Sequence, residues 1–223
     1  MWYTDQVKGV LMLAEVGVIL LGMALAVALY VALATFWAIG RDDARFWQSA
    51  CNGVYAVMGL LGGALFLLLL AFMTDQFQIR YVADHSSRML PIYLKASAIW
   101  AGQEGSLLLW AFLQALLTVL VMGRGSERME PLTAWTMLIL DLITAFFVAM
   151  TLFLSNPFVQ TTVIPTDGRG LNPLLRHPGM IFHPPAMYLG YVGLAAPFAI
   201  AMAALIVGRV DDWPGVARRW TVA

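Results

Sequence analysis

The stretch Val16-Gly-Val-Ile-Leu-Leu-Gly-Met-Ala-Leu-Ala-Val-Ala-Leu-Tyr30-Val-Ala-Leu-Ala-Thr35-Phe-Trp-Ala-Ile39 decides the fold. It runs for more than the roughly 20 apolar residues that a helix needs to cross a bilayer. It contains no charge and no period-two alternation, so a membrane barrel is excluded. Backbone groups in lipid must bond within their own segment, and the stretch is therefore a helix. It is also too long for a signal peptide. The preceding Trp2-Tyr3-Thr4-Asp5 lacks the positive charge that a signal would carry.

Four more stretches of this kind follow, over residues 50–73, 106–122, 132–155 and 185–208. The composition agrees. Of 223 residues, 61% are hydrophobic and only 12% charged. A soluble domain carries about twice that share of charge. The fold class is an all-α polytopic transmembrane bundle of five spans, and residues 1–223 read as one domain. Thirteen Lys and Arg balance thirteen Asp and Glu, which leaves no basic face for nucleic acid. The single cysteine, Cys51, can form neither an internal disulfide nor a CxxC site.

Orientation follows from the connections. One side holds the N-terminus and two loops of about 30 residues, 74–105 and 156–184, with Lys8, Arg80, Arg88, Lys95, Arg169 and Arg176. The other holds short connections, 40–49 and 123–131, and the tail, with Arg41, Arg45, Arg124, Arg128, Arg209, Arg218 and Arg219. Basic residues concentrate in the short connections, where the positive-inside rule operates. The N-terminus and long loops are expected outside and the C-terminus in the cytoplasm.

Loops of that length in a compact protein are usually functional. They also contain all three histidines: His85, His177 and His183. His177 and His183 each precede a proline, which favours extended backbone. Pro184-Pro185 is expected to open the fifth span, where a missing N–H costs nothing. His183 is thereby held at the membrane rim. An imidazole so placed can ligate a metal or a haem iron, or it can hydrogen-bond a loop carbonyl. The residues alone leave both open. Zinc is excluded, because it needs three or four ligands. No serine–histidine–acid signature is present, and no catalytic residue is assigned.

In the first long loop, Ala101-Gly-Gln-Glu-Gly-Ser106 breaks the apolar pattern ahead of the third span. Gly102 and Gly105 permit close backbone approach or a tight turn. Glu104 suits a helix N-terminus. Trp100 and Trp110 flank the break, as belt residues or as a wall for a ligand. Two carboxylates sit in apolar runs, Glu15 and Asp141. Each is either part of a proton path or a group satisfied inside the bundle. Gly59-x-x-x-Gly63 allows close helix packing.

These residues resemble a known family. Tyr81-Val-Ala, Leu90-Pro, and Glu104-Gly-Ser-Leu-Leu-Leu-Trp110 are similar to the N-terminal region of the CcmF-type cytochrome c haem lyases, the CcmF/CycK/NrfE-like family. Ser155-Asn-Pro-Phe158, Leu171-Asn-Pro-Leu-Leu175 and His177-Pro-Gly-Met-Ile-Phe-His183-Pro-Pro185 continue the likeness, which runs from residue 81 to 199. The resemblance implies residence in the bacterial inner membrane, or in the inner membrane of some mitochondria. It implies haem as cofactor, received from a haem chaperone and attached to the CxxCH thiols of apocytochrome c. It implies that His183 is an axial ligand of the haem iron, with Trp100, Trp110, Glu104 and Tyr188 as surroundings. Gln103 and Arg176 are candidates to meet propionates or partners. His85 and His177 receive no role from it. The family's tryptophan-rich loop, its second outer haem histidine and its intramembrane haem histidines have no counterpart in this chain. Three alternatives stay open: a split protein whose second polypeptide carries that loop and packs against Gly59, Gly63, Gly190 and Gly193, a truncated product, and a reading frame cut short. A transport or proton-path subunit built on Glu15 and Asp141, and a structural scaffold subunit, are the competing expectations.

Overall fold

The five apolar stretches fold as five long helices in the computed structural model, which describes residues 2–123, 129–209, 211 and 213–221, with side chains from residue 13 onward. The helices are α1 (Trp2–Arg41), α2 (Ala44–Met73), α5 (Gln103–Met122), α6 (Pro131–Phe153) and α7 (Pro178–Val207). Short helices α3 (Arg80–His85) and α4 (Ile92–Ser97) precede α5, and α8 (Trp213–Thr221) closes the described chain. Arg124, Arg128 and the side chain of Lys8, used above for orientation, lie outside the described residues.

Alanine and glycine set the spacing between helices. α1 and α2 form an antiparallel hairpin around Ala24, Ala28, Ala64 and Ala71, all fully buried. Small side chains allow such close approach when apolar burial gives no drive in lipid. The expected ten-residue connection shrinks to Asp42 and Asp43, because α2 starts at Ala44 rather than near residue 50. Asp43 caps it, its carboxylate accepting from the Arg45 N–H at 2.8 Å, and Asp42 takes a left-handed φ of 53°. Trp47, 1% exposed, then packs with Val31, Ala34 and Ala38, so the extra turns are buried rather than looped. Gly63 of the Gly59-x-x-x-Gly63 pair approaches Leu20 on α1, whereas Gly59 faces open space.

The first long loop is partly helical. Arg80–His85 is helical, and only Ile79 pairs in β fashion, with Gln160 of the second loop. The two loops are stitched together further along. Arg80 N–H donates to Val159 O at 2.9 Å, Thr161 N–H to Gln78 O at 2.8 Å and Arg169 N–H to Ala83 O at 2.8 Å. The Asp167 carboxylate accepts from the Arg88 N–H at 2.9 Å, and that bond holds its carboxyl below the usual range. Lys95, 6% exposed, is paired with Asp75 at 2.5 Å.

The larger correction concerns α7. It opens at Pro178, capped by His177, whose Nδ1 accepts the Gly179 N–H at 3.1 Å. His183 is therefore the sixth residue of a helix, not the end of an extended loop. Pro184 and Pro185 lie inside the helix. The pre-proline bias is a preference, and here the cap and Pro178 at the first position outweigh it. The cost is two missing N–H donors, which leaves the carbonyls of Met180 and Ile181 without their helical partners.

Candidate haem-ligating cavity

Tyr81 organises the outer end of the bundle. It is 3% exposed, and its ring packs edge-on against Phe72, with centroids 5.6 Å apart. Its hydroxyl accepts the Gly102 N–H at 2.9 Å and donates to Ile99 O at 2.9 Å. Burial pushes its phenol above the ordinary tyrosine value. The break before α5 is therefore a turn wrapped on one phenol. Gly105 is required there, since a Cβ would collide with the Ile99 carbonyl. The His85 ring packs tilted on Tyr81, with centroids 4.5 Å apart, and bonds the Tyr81 carbonyl through Nδ1 at 3.0 Å.

Beside this turn, between the start of α5 and the outer half of α7, lies a cavity of about 510 Å3. That is within the range of small-molecule and cofactor sites. Trp100, Trp110, Gln103, Tyr188 and His183 all line it. Apolar side chains, among them Leu171, Met180 and Met187, complete the lining. Trp110 is held by three rings: Phe147 at 4.8 Å, Tyr188 at 5.7 Å and Tyr191 at 6.0 Å. Both tryptophans are partly buried and form cavity wall. Tyr188 donates to Ser106 Oγ at 3.0 Å, and Ser106 donates to Trp100 O at 3.2 Å. Four of the five predicted site residues thus come together. Glu104 does not line the cavity; it sits in the first turn of α5, where its charge acts on Tyr81. Arg176, off the lining, donates through Nε to Leu171 O at 3.0 Å.

The three imidazoles differ in one respect. His85 and His177 spend a ring nitrogen on backbone. Among the described residues His183 makes no hydrogen bond through either nitrogen. The loop-carbonyl alternative does not describe it. An exposed imidazole at an apolar, aromatic-walled cavity fits one axial position of a haem iron. The indole N–H of Trp100 is buried without a partner. Among the described residues no cluster of three or more His, Cys, Asp or Glu offers a metal-ion site.

Met180, Met187 and Ser106 were missed from sequence. The spacing of 180, 183, 187 and 188 marks one helical face. It was unreadable while residues before Pro184 counted as loop.

The fold and cavity define a class: a polytopic membrane protein with a cofactor-sized pocket at one membrane face. The family described as "Cytochrome C assembly protein" matches residues 100–218, more than half of the chain, and the chain belongs to that family. It is 38% identical over 214 residues to the cytochrome c-type biogenesis protein CcmF of Escherichia coli (strain K12), covering 95% of this chain and 33% of that protein. It is 40% identical over 161 residues to the probable cytochrome c-type biogenesis protein NrfE of the same organism, covering 72% of this chain and 29% of that one. The solved structure of a cytochrome c haem lyase CcmF superposes with a TM-score of 0.77 at 30% identity, over 95% of this chain and 33% of the other. The chain spans about a third of the length of the relatives it matches. With its five apolar helices and bacterial relatives, it is a multi-pass protein of the bacterial inner membrane.

Proposed function

We propose that this chain serves cytochrome c maturation by holding haem at the outer face of the membrane. The carrying observation is His183, an uncommitted imidazole on a cavity walled by Trp100, Trp110 and Tyr188. His183 would ligate the haem iron, Trp100, Trp110 and Tyr188 would supply apolar and aromatic wall, and Gln103 would supply a polar group. When bound, the haem supplies vinyl groups to which the cysteine thiols of a CxxCH motif add. The nucleophile therefore arrives with the apocytochrome. This chain orients the acceptor and limits water on one side.

The reading places the N-terminus and both long loops outside, where a haem chaperone and apocytochrome c can reach the cavity, and α8 inside. A second polypeptide or a further chain segment would complete the site around His183. Gly190 and Gly193 on α7, with open space where a Cβ would stand, suit its close approach.

The test is the absorption spectrum of the chain purified with haem in mild detergent. A histidine-ligated spectrum is expected, lost in His183→Gly and restored by added imidazole. His85→Ala and His177→Ala are expected to keep it. An unchanged spectrum in His183→Gly would overturn the reading.

A further inference from the structure

Asp141 lies in the middle of α6, is 2% exposed, and has a carboxylate oxygen, Oδ2, that is buried without a partner. On the neighbouring α5, Gln114 is 1% exposed, and its Nε2 is likewise buried and unpartnered. A buried acceptor and a buried donor, each unsatisfied, are rarely accidental in a native fold. Each lies ~17 Å from the outer end of its own helix, within about one turn of the other in depth.

Packing fixes the register between them. Met122 shares a buried cluster with Met137, and Leu117 shares another with Leu140. This ladder sets Gln114 and Thr118 of α5 opposite Thr144 and Asp141 of α6. Thr118 donates its hydroxyl hydrogen to Gln114 O, and Thr144 donates to Leu140 O. Each hydroxyl oxygen is left as an acceptor. The cluster therefore holds acceptors from three side chains and one amide donor, about one helical turn tall.

Among the described residues no cation is paired with the carboxylate. The elements packed on α6 are chiefly α1, α5 and α7. In their spanning parts, α1 offers Glu15 at its outer end, Arg41 at its inner end and Tyr30, which is bonded to Ser49. α5 offers Glu104 at its start. α7 offers His183, Tyr188 and Tyr191 near the outer cavity. Of these only Tyr30 lies near the depth of Asp141; it is uncharged, and its hydroxyl is engaged by Ser49 of α2.

The cluster stands between two cavities. Gln114 is one turn, ~6 Å, below Trp110 of the outer cavity. At the inner ends of α6 and α7 a second cavity, about 330 Å3, reaches Thr136, which is ~8 Å along α6 from Asp141. Thr136 donates to Leu132 O at 2.7 Å, leaving its oxygen as an acceptor at the inner cavity, about 140° around α6 from Asp141.

We propose that Asp141 is a proton-exchange site inside the membrane, with a buried water bridging its Oδ2 to Gln114 Nε2, and that it is served from the inner cavity past Thr136. A water in such a place needs two to four polar partners, and Asp141, Gln114, Thr118 and Thr144 supply them. A proton carried by water in the inner cavity adds to the carboxylate and leaves the same way. Only O–H bonds are made and broken. The inference does not depend on haem.

The test is infrared spectroscopy of the full chain in lipid nanodiscs across a pH series, in H2O and D2O, against Asp141→Asn. A carboxylic-acid band is expected that disappears in Asp141→Asn and moves on transfer to D2O. Its deuteration is expected to slow several-fold in Thr136→Val. Absence of a band specific to Asp141, or a band that D2O leaves in place, overturns the site. Unchanged deuteration in Thr136→Val overturns the inner route. Should Asp141→Asn fail to accumulate, carbodiimide labelling of the wild-type chain reads the same group: a modified Asp141 peptide supports the site, and an unmodified one beside a modified Glu15 overturns it.

Discussion

Tyr188 on α7 donates its phenolic hydrogen to Ser106 on α5, 3.0 Å away and 82 residues earlier in the chain. The bond ties the two walls of the outer cavity, and Ser106 passes the restraint on to the Trp100 carbonyl. Tyr188→Phe keeps the ring that flanks Trp110 and removes only the bond. It is expected to cost about 1 kcal/mol of stability. It should weaken haem retention several-fold without changing the ligation type. Thermal unfolding and the spectrum of the haem-loaded chain check the two halves.

His177 and His183 sit six residues apart and should behave oppositely. His177 caps α7, so His177→Ala is expected to lose about 1 kcal/mol, with Asn or Ser at that position restoring it. Its haem spectrum should match the wild type. His183→Ala should lose the spectrum and leave the melting temperature of the haem-free chain nearly unmoved, because its ring bonds nothing among the described residues. A fall in melting temperature as large as that of His177→Ala would contradict this assignment.

Gly105→Ala places a methyl group against the Ile99 carbonyl, which is backbone and cannot rotate away. Overpacking of this kind costs typically 1–3 kcal/mol. The turn carrying Gln103 must shift with it. Gly59→Ala, where nothing stands near the added Cβ, is the matched control and should be close to neutral in the isolated chain. Equal melting temperatures for the two variants would refute the steric account.

Tyr81 gives an alkaline signature. Desolvation raises its pKa in the fold. The neutral phenol therefore contributes its full stability below about pH 10, the ordinary tyrosine value, and that contribution is lost as pH rises toward the folded value. Ultraviolet titration should find one tyrosine ionising after the exposed ones, together with loosening of the outer cavity. Tyr81→Phe should remove the late step and lower stability at neutral pH, because Ile99 O and Gly102 N–H lose their partner.

Most of the membrane fold was legible, and the reasons are physical. Twenty apolar residues in a row admit few alternatives in lipid, so α1, α2, α5, α6 and α7 were all found. What failed was local. The start of α2 was set six residues late because Arg45, Trp47 and Gln48 look like loop, although Trp47 buries itself and Asp43 caps the helix. The start of α7 was set seven residues late because two prolines read as a beginning. Single-residue preferences cannot weigh a cap at His177 against them. Within the candidate site, residue types were readable and facing was not. Trp100, Trp110, Tyr188 and His183 were all named, but the wall they share needs α5 and α7 side by side. Glu104 was named with them and points to the other side of its helix start.

The stitching of the two outer loops bears on how this protein can be mapped. A protease needs several residues of slack chain to seat its substrate, and long exposed loops usually offer it. Here Val159, Thr161 and Arg169 pin the second loop onto the first. Limited digestion would find both loops resistant whichever compartment they face, so survival of the chain would be mistaken for shelter. A small membrane-impermeant thiol reagent escapes that trap. Leu174, 78% exposed, accepts a cysteine in its place, and the native Cys51 is fully buried and gives no background.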